Sequence, residues 1–96
     1  MHAVVRTYSG TGASALFDLL EARRAEVEEV IGAIAGLDSY TMIRTADGGA
    51  TVTVCADKAG TDASLAAARD WIVANAADLN VGPPTVSEGP VILRLG

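Results

Sequence analysis

The stretch that most constrains this chain is residues 40–56, where Asp47, Gly48 and Gly49 divide two alternating runs rich in Thr, Val and Ile. β-branched residues alternating on both sides of an Asp-Gly pair are the pattern of a β-hairpin, because Asp-Gly suits the positive φ angles of a tight primed turn. Register follows from that turn. With a two-residue loop at Asp47-Gly48 or Gly48-Gly49, Tyr40, Met42 and Arg44 share a face with Thr51, Thr53 and Cys55, and Ile43, Val52 and Val54 share the other. A three-residue loop would destroy that sorting.

Residues 2–8 supply a first strand, with Ala3 and Val5 on one face and Val4, Arg6 and Tyr8 on the other, ended by Ser9-Gly10-Thr11-Gly12. The Gly-Thr-Gly element lacks the third glycine of a dinucleotide fingerprint and the Gly-Lys-Ser/Thr of a phosphate loop, so it reads as a strand-to-helix turn. From a cap at Ser14, Leu16, Phe17, Leu20, Arg24, Val27, Ile31 and Ile34 recur at spacings of three and four, which predicts one long amphipathic helix ending at Gly36. Glu26, Glu28 and Glu29 fall on its solvated side and are spread around the helix with no histidine beside them, so they do not form a metal set.

A second, alanine-rich helix is expected from a cap at Thr61 or Asp62, through Leu65, Ala68, Arg69, Ile72 and Ala76 to Leu79. It stops at Asn80-Val81-Gly82-Pro83-Pro84. Residues 91–95, Val-Ile-Leu-Arg-Leu, read as the last strand. The order β-α-β-β-α-β predicts an α+β, ferredoxin-like domain across residues 1–96, with a four-stranded antiparallel sheet carrying both helices on one face.

Two helices leave one sheet face bare. Hydropathy alone assigns the aliphatic face (Ala3, Val5, Ile43, Val52, Val54) to the helices and the mixed face to a partner. Tyr40, Met42, Arg44, Thr51, Thr53 and Cys55 are therefore the expected dimer-facing residues, and a homodimer is the expected assembly. A formal net charge of −5, with Lys and Arg scattered singly apart from Arg23-Arg24, argues against nucleic acid. No run approaches the length of a membrane span and no leader pattern opens the chain, which predicts a cytoplasmic protein without membrane partners. The lone Cys55 fits a packed thiol in a reducing compartment.

Beyond these patterns the chain resembles the dimeric α+β barrel superfamily, particularly its small antibiotic-biosynthesis-monooxygenase-like proteins. The likeness runs nearly end to end. It is carried by Val4-Val5-Arg6-Thr7-Tyr8, by Gly36-Leu37 before the Tyr40 strand, by the hairpin from Arg44 to Gly49, by Ala67-Ala68-Arg69-Asp70-Trp71-Ile72 with Asn75, and by Gly89-Pro90-Val91. The resemblance implies a face-to-face dimer with a ligand cavity between each sheet and its helices, and a cofactorless monooxygenase acting on an aromatic or quinone-like molecule. A noncatalytic ligand-binding or stress-related dimer and a purely structural dimerisation module are the alternatives.

The resemblance also makes a Trp and an Asn of the second helix site positions. Trp71 matches the first. The oxygenases carry their Asn one turn before the Trp, where this chain has Ala67, and Asn75 follows the Trp instead. Haem-degrading relatives use an axial histidine on or just after that helix, where this chain has none; its one histidine is His2. No cofactor and no metal are expected. Arg6, Tyr8, Trp71 and Asn75 are the candidate cavity residues, with Arg6 and Tyr8 able to steady an anion and Trp71 able to stack on a flat ring or cover the sheet edge. Neither Cys55, which lacks an activating histidine, nor the terminal His2 is assigned a catalytic role.

Overall fold

The computed structural model describes residues 1–96. In chain order the elements are β1 (His2–Tyr8), α1 (Ala13–Ala22), α2 (Arg24–Gly32), β2 (Leu37–Thr45), β3 (Gly48–Cys55), α3 (Lys58–Asn75), a short 3-10 turn (Ala77–Leu79) and β4 (Thr85–Pro90). The strands form one antiparallel sheet in the order β2-β3-β1-β4. That is the ferredoxin-like α+β arrangement, with crossover connections between the parallel pairs β1/β2 and β3/β4 carrying the helices.

The hairpin keeps the expected sorting but reaches it by a different turn. Thr45 pairs with Gly48, so the loop is Ala46-Asp47, one step earlier than Asp47-Gly48, and each pair shifts by two residues, with Tyr40 opposite Thr53 and Met42 opposite Thr51 on the same shared face. A bulge at Asp38 lets Leu37 pair with Cys55 while Ser39 pairs with Val54. Neither Gly48 nor Gly49 has a positive φ. Their value is clearance: a Cβ at Gly49 would stand 2.3 Å from the Phe17 ring, and one at Gly48 would stand 2.2 Å from the Tyr8 carbonyl oxygen.

The first helical stretch is two helices, not one. At Arg23 (φ −111°, ψ 33°) the path breaks and the chain restarts as α2. Gly12, with φ 78° and no side-chain cap, opens α1, so Ser14 is not the cap. α3 begins earlier than expected because the Asp57 carboxylate accepts from the Gly60 amide at 3.2 Å, and it ends at Asn75.

The last strand is Thr85–Pro90, and residues 91–96 leave the sheet with Ile92, Leu93 and Leu95 largely exposed. An edge strand has only one paired side, which accommodates Pro90 at its end and the polar Thr85 and Ser87 in its body. Arg94 ties the departing segment to Asp38.

The two sheet faces are assigned the other way round from the hydropathy expectation. Leu16, Phe17, Leu20, Val27, Ile31 and Trp71 bury themselves with Tyr8 in the core, over the face that carries Val4, Arg6, Tyr8, Thr51, Thr53 and Cys55, all buried. Tyr40 and Met42 pack against the same core, and Arg44 reaches α1 to pair with Asp18 at 3.1 Å and Glu21 at 3.5 Å. The residues expected to face a partner therefore lie under this chain's own helices. The bare face is aliphatic: Val5 is 36% and Ile43 49% exposed, with Ala3, Val52 and Val54 half-buried beside them. No helix is long and apolar enough to cross a membrane.

Candidate functional site

Between the helices and the sheet, α3 presents small residues. Gly60 sits so close to β3 that a Cβ there would be 2.6 Å from that of Cys55, and further along Ala67 and Ala68 leave space that larger side chains would fill. The result is a cavity of about 30 Å³ bounded by Leu20, Val27, Ile31, Trp71 and Ile72, with Arg6, Tyr8, Tyr40 and Thr51 as its sheet floor. That volume holds a water or two, and no aromatic substrate. A larger groove of about 350 Å³ opens on the other side of Arg6 and Tyr8, between α3 (Leu65, Arg69, Ile72, Val73) and residues 81–84. It falls within the range of small-molecule sites.

The floor is rich in donors. Arg6, 3% exposed, donates through Nη1 to the Tyr8 hydroxyl at 2.9 Å and through Nη2 to the Tyr40 hydroxyl at 3.5 Å, while its Nε–H has no partner. Its guanidinium carbon lies 5.9 Å from the Tyr8 ring centroid. Cross-strand from Arg6, the buried Thr51 hydroxyl is also unpartnered. Burial pushes the Tyr40 hydroxyl above the ordinary tyrosine value, with the Arg6 charge pulling it back, so it stays protonated at neutral pH. Phe17 meets Tyr8 edge-on at 5.9 Å and fixes its ring.

Trp71 walls the small cavity, but its polar edge is already engaged. The indole Nε1–H donates to Glu26 Oε1 at 3.0 Å, and Arg23 lies over the ring at 5.1 Å while holding Glu26 through Nε at 2.9 Å and Nη2 at 2.7 Å. Arg23 first, and the indole second, hold the Glu26 carboxyl below its usual value. The break at Arg23 makes this clamp, and the pairing of α2 with α3 was not readable from periodicity; only the Arg23–Glu26 spacing of three hinted at it.

Asn75 lines neither space. Its Nδ2 donates to the Trp71 carbonyl oxygen at 2.9 Å at the end of α3, whereas Ala67, at the position where the oxygenases carry asparagine, faces the small cavity. Of the four candidate cavity residues, Arg6, Tyr8 and Trp71 come together and Asn75 stays apart. The sequence pattern marks Arg69 only as a helix residue and Val81-Gly82-Pro83-Pro84 only as a helix stop, because only the return of the chain from α3 to β4 makes them line one groove with Arg6.

Cys55 is buried against the start of α3, and burial followed by Asp57 pushes its thiol up, which suits a packed side chain. His2 contacts Glu88 at 2.9 Å on the β1/β4 edge, where Lys58 also reaches Glu88 at 3.4 Å. Neither cavity lining contains histidine, so the site does not fit a histidine-ligated haem.

No family model matches this sequence, and neither does any curated protein. Solved structures do match the fold. One is a protein of unknown function from Nitrosomonas europaea (23% identity, 98% of this chain and 90% of that one, TM-score 0.71). Another is the monooxygenase of the Streptomyces coelicolor gene ActVA-Orf6, in complex with nanaomycin D (24% identity, 99% and 90% covered, TM-score 0.60). A third is MhuD with manganese protoporphyrin IX bound (16% identity, 99% and 97% covered, TM-score 0.66). The chain has the fold of the antibiotic-biosynthesis-monooxygenase-like proteins. The ligands named for these neighbours are theirs; fold likeness at such identities does not transfer them.

Proposed function

We propose that the protein binds a flat, aromatic or quinone-like small molecule in the groove between α3 and residues 81–84, over Arg6 and Tyr8, and monooxygenates it without a cofactor. The observation that carries this reading is the buried Arg6, which donates to the Tyr8 and Tyr40 hydroxyls and, with Tyr8, lines a groove walled by Ile72 and other apolar side chains. Donors in a dry, apolar surround stabilise the oxyanion that forms when a phenol or an anthrone-like ring loses its proton, and such an anion is the form that reacts with dioxygen. Oxidation of an anthrone-like CH₂ to a carbonyl takes up one O₂ and releases one water, so atoms balance without a bound redox group. The monooxygenase with nanaomycin D bound supports the choice of substrate class.

A second reading, binding without chemistry, is favoured by one feature: no Asp, Glu or His lines either space to take up the substrate proton. Oxygen uptake with dithranol separates the two. Uptake above the buffer rate that falls at least about tenfold in Arg6→Met supports catalysis; binding seen by native mass spectrometry without uptake supports the second reading.

The assembly we propose is a homodimer joined through the aliphatic face of Val5, Ile43, Val52 and Val54. This face has no cover within the chain, and the exposed Ile92, Leu93 and Leu95 of residues 91–96 add to the apolar surface. Light scattering tests it directly, and a monomer at micromolar concentration would refute it.

A further inference from the structure

We infer that the groove between α3 and residues 81–84 is a site for an anion, specifically an aromatic carboxylate whose acid group meets Arg6 at the groove floor and Arg69 at its rim. The argument starts from charge. Arg6 is 3% exposed, yet none of the chain's ion pairs includes it, although the protein has 12 Asp and Glu against 7 Lys and Arg. A guanidinium taken out of water without a counter-ion is costly, and two tyrosine hydroxyls and a ring face compensate it only in part. The Nε–H adds a second deficit, because it is a buried donor with nothing to accept from it.

Nε and one Nη together form the fork edge that a carboxylate meets with two parallel hydrogen bonds. Tyr8 occupies Nη1, which leaves Nε and Nη2 as the pair, with Nη2 held only by a 3.5 Å contact to Tyr40. Arg69, in the same groove wall, is largely exposed, and its one ionic contact is a 3.7 Å approach to Asp70. No acidic side chain lines the groove to compete. Leu65, Ile72, Val73, Val81, Pro83 and Pro84 give an aromatic body apolar walls.

This inference rests on the proposed ligand site and goes further, to the ligand's charge and the groove it takes. The test compares 2-naphthoate with its neutral isostere 2-naphthamide by isothermal titration at pH 7.5, in the wild type, Arg69→Ala and Arg6→Met. Naphthoate is expected to bind about tenfold or more tighter than naphthamide, the difference that one charge-assisted pair makes. That preference should shrink in Arg69→Ala, an exposed substitution that leaves the fold intact, and vanish in Arg6→Met while naphthamide binding persists. Equal binding of the two probes to the wild type, or a naphthoate preference unchanged in Arg69→Ala and in folded Arg6→Met, overturns the anion assignment. Equal binding accompanied by oxygen uptake with dithranol overturns it while leaving the proposed function standing. Failure of both probes to bind overturns the groove as an aromatic site altogether.

Discussion

Gly49→Ala tests whether the glycine pair serves packing or turn conformation. An added Cβ would lie 2.3 Å from Phe17 Cε2, whereas carbon atoms rest at about 3.5–4.0 Å. The ring would have to yield by more than an ångström, but Phe17 is 4% exposed, sits on α1 and is held edge-on by Tyr8. Overpacking of this kind costs about 1–3 kcal/mol, and the smaller unfolded-state entropy of alanine returns about 0.4–1 kcal/mol at a φ that alanine tolerates. The expected net loss is about 1.5 kcal/mol, or a fall in Tm of about 6–12 °C for a domain of this size.

Urea unfolding of Gly49→Ala, Phe17→Leu and the double variant then forms a cycle. Leucine removes the ring at a cost of its own, which the cycle subtracts, and in that background Gly49→Ala should be neutral or slightly stabilising. If glycine were needed for a left-handed turn, the alanine penalty would be the same with or without Phe17. An equal penalty in both backgrounds, or none in the wild type, would refute the packing account.

Three further outcomes are expected. Because Arg23 and Trp71 depress the Glu26 pKa, the Glu26 contribution is complete above the unfolded glutamate value of about 4.3 and is lost as pH falls through the lower folded value. The fluorescence of Trp71, the sole tryptophan, should change over that acid window, and Glu26→Gln should remove the transition; a transition that persists in the variant would sink the assignment. Placing like charges on the bare face with Val5→Glu and Ile43→Glu should shift a dimer to monomer in sedimentation velocity while far-ultraviolet dichroism is retained, and an unchanged sedimentation coefficient would count against that interface. Asp57→Ala should cost about 1 kcal/mol in urea unfolding, through loss of the cap on the Gly60 amide, and no measurable loss would show that the cap is dispensable.

Much of the fold was legible because it depends on local rules. Alternation sorted Arg6 and Tyr8 from Ala3 and Val5, and Tyr40, Met42, Thr51, Thr53 and Cys55 from Ile43, Val52 and Val54, and the strand pairing preserves each grouping. Element order then led to the ferredoxin-like topology. Boundaries were less legible. The α1/α2 break at Arg23 interrupts a hydrophobic repeat that continues across it, and β4 lies in the polar residues 85–90 because an edge strand is chosen by its pairing with β1 rather than by its own hydropathy.

What the sequence by itself determined is which side chains share a face. Which face the helices cover was decided by tertiary structure. A crossover between parallel strands is right-handed as a rule, and that handedness, with the pleat register of each strand, selects the side the helices occupy whatever the hydropathy of the two faces. Hydropathy misled because the covered side encloses polar groups around a cavity, with Arg6, Tyr8 and Thr51 on its floor, and the more aliphatic side has no cover within the chain. A single groove lined by Arg6, Arg69 and residues 81–84, and the hydrogen bond from Trp71 to Glu26, each bring together residues far apart in the chain. No periodicity encodes such contacts; they exist only once both crossovers are packed on one face of the sheet.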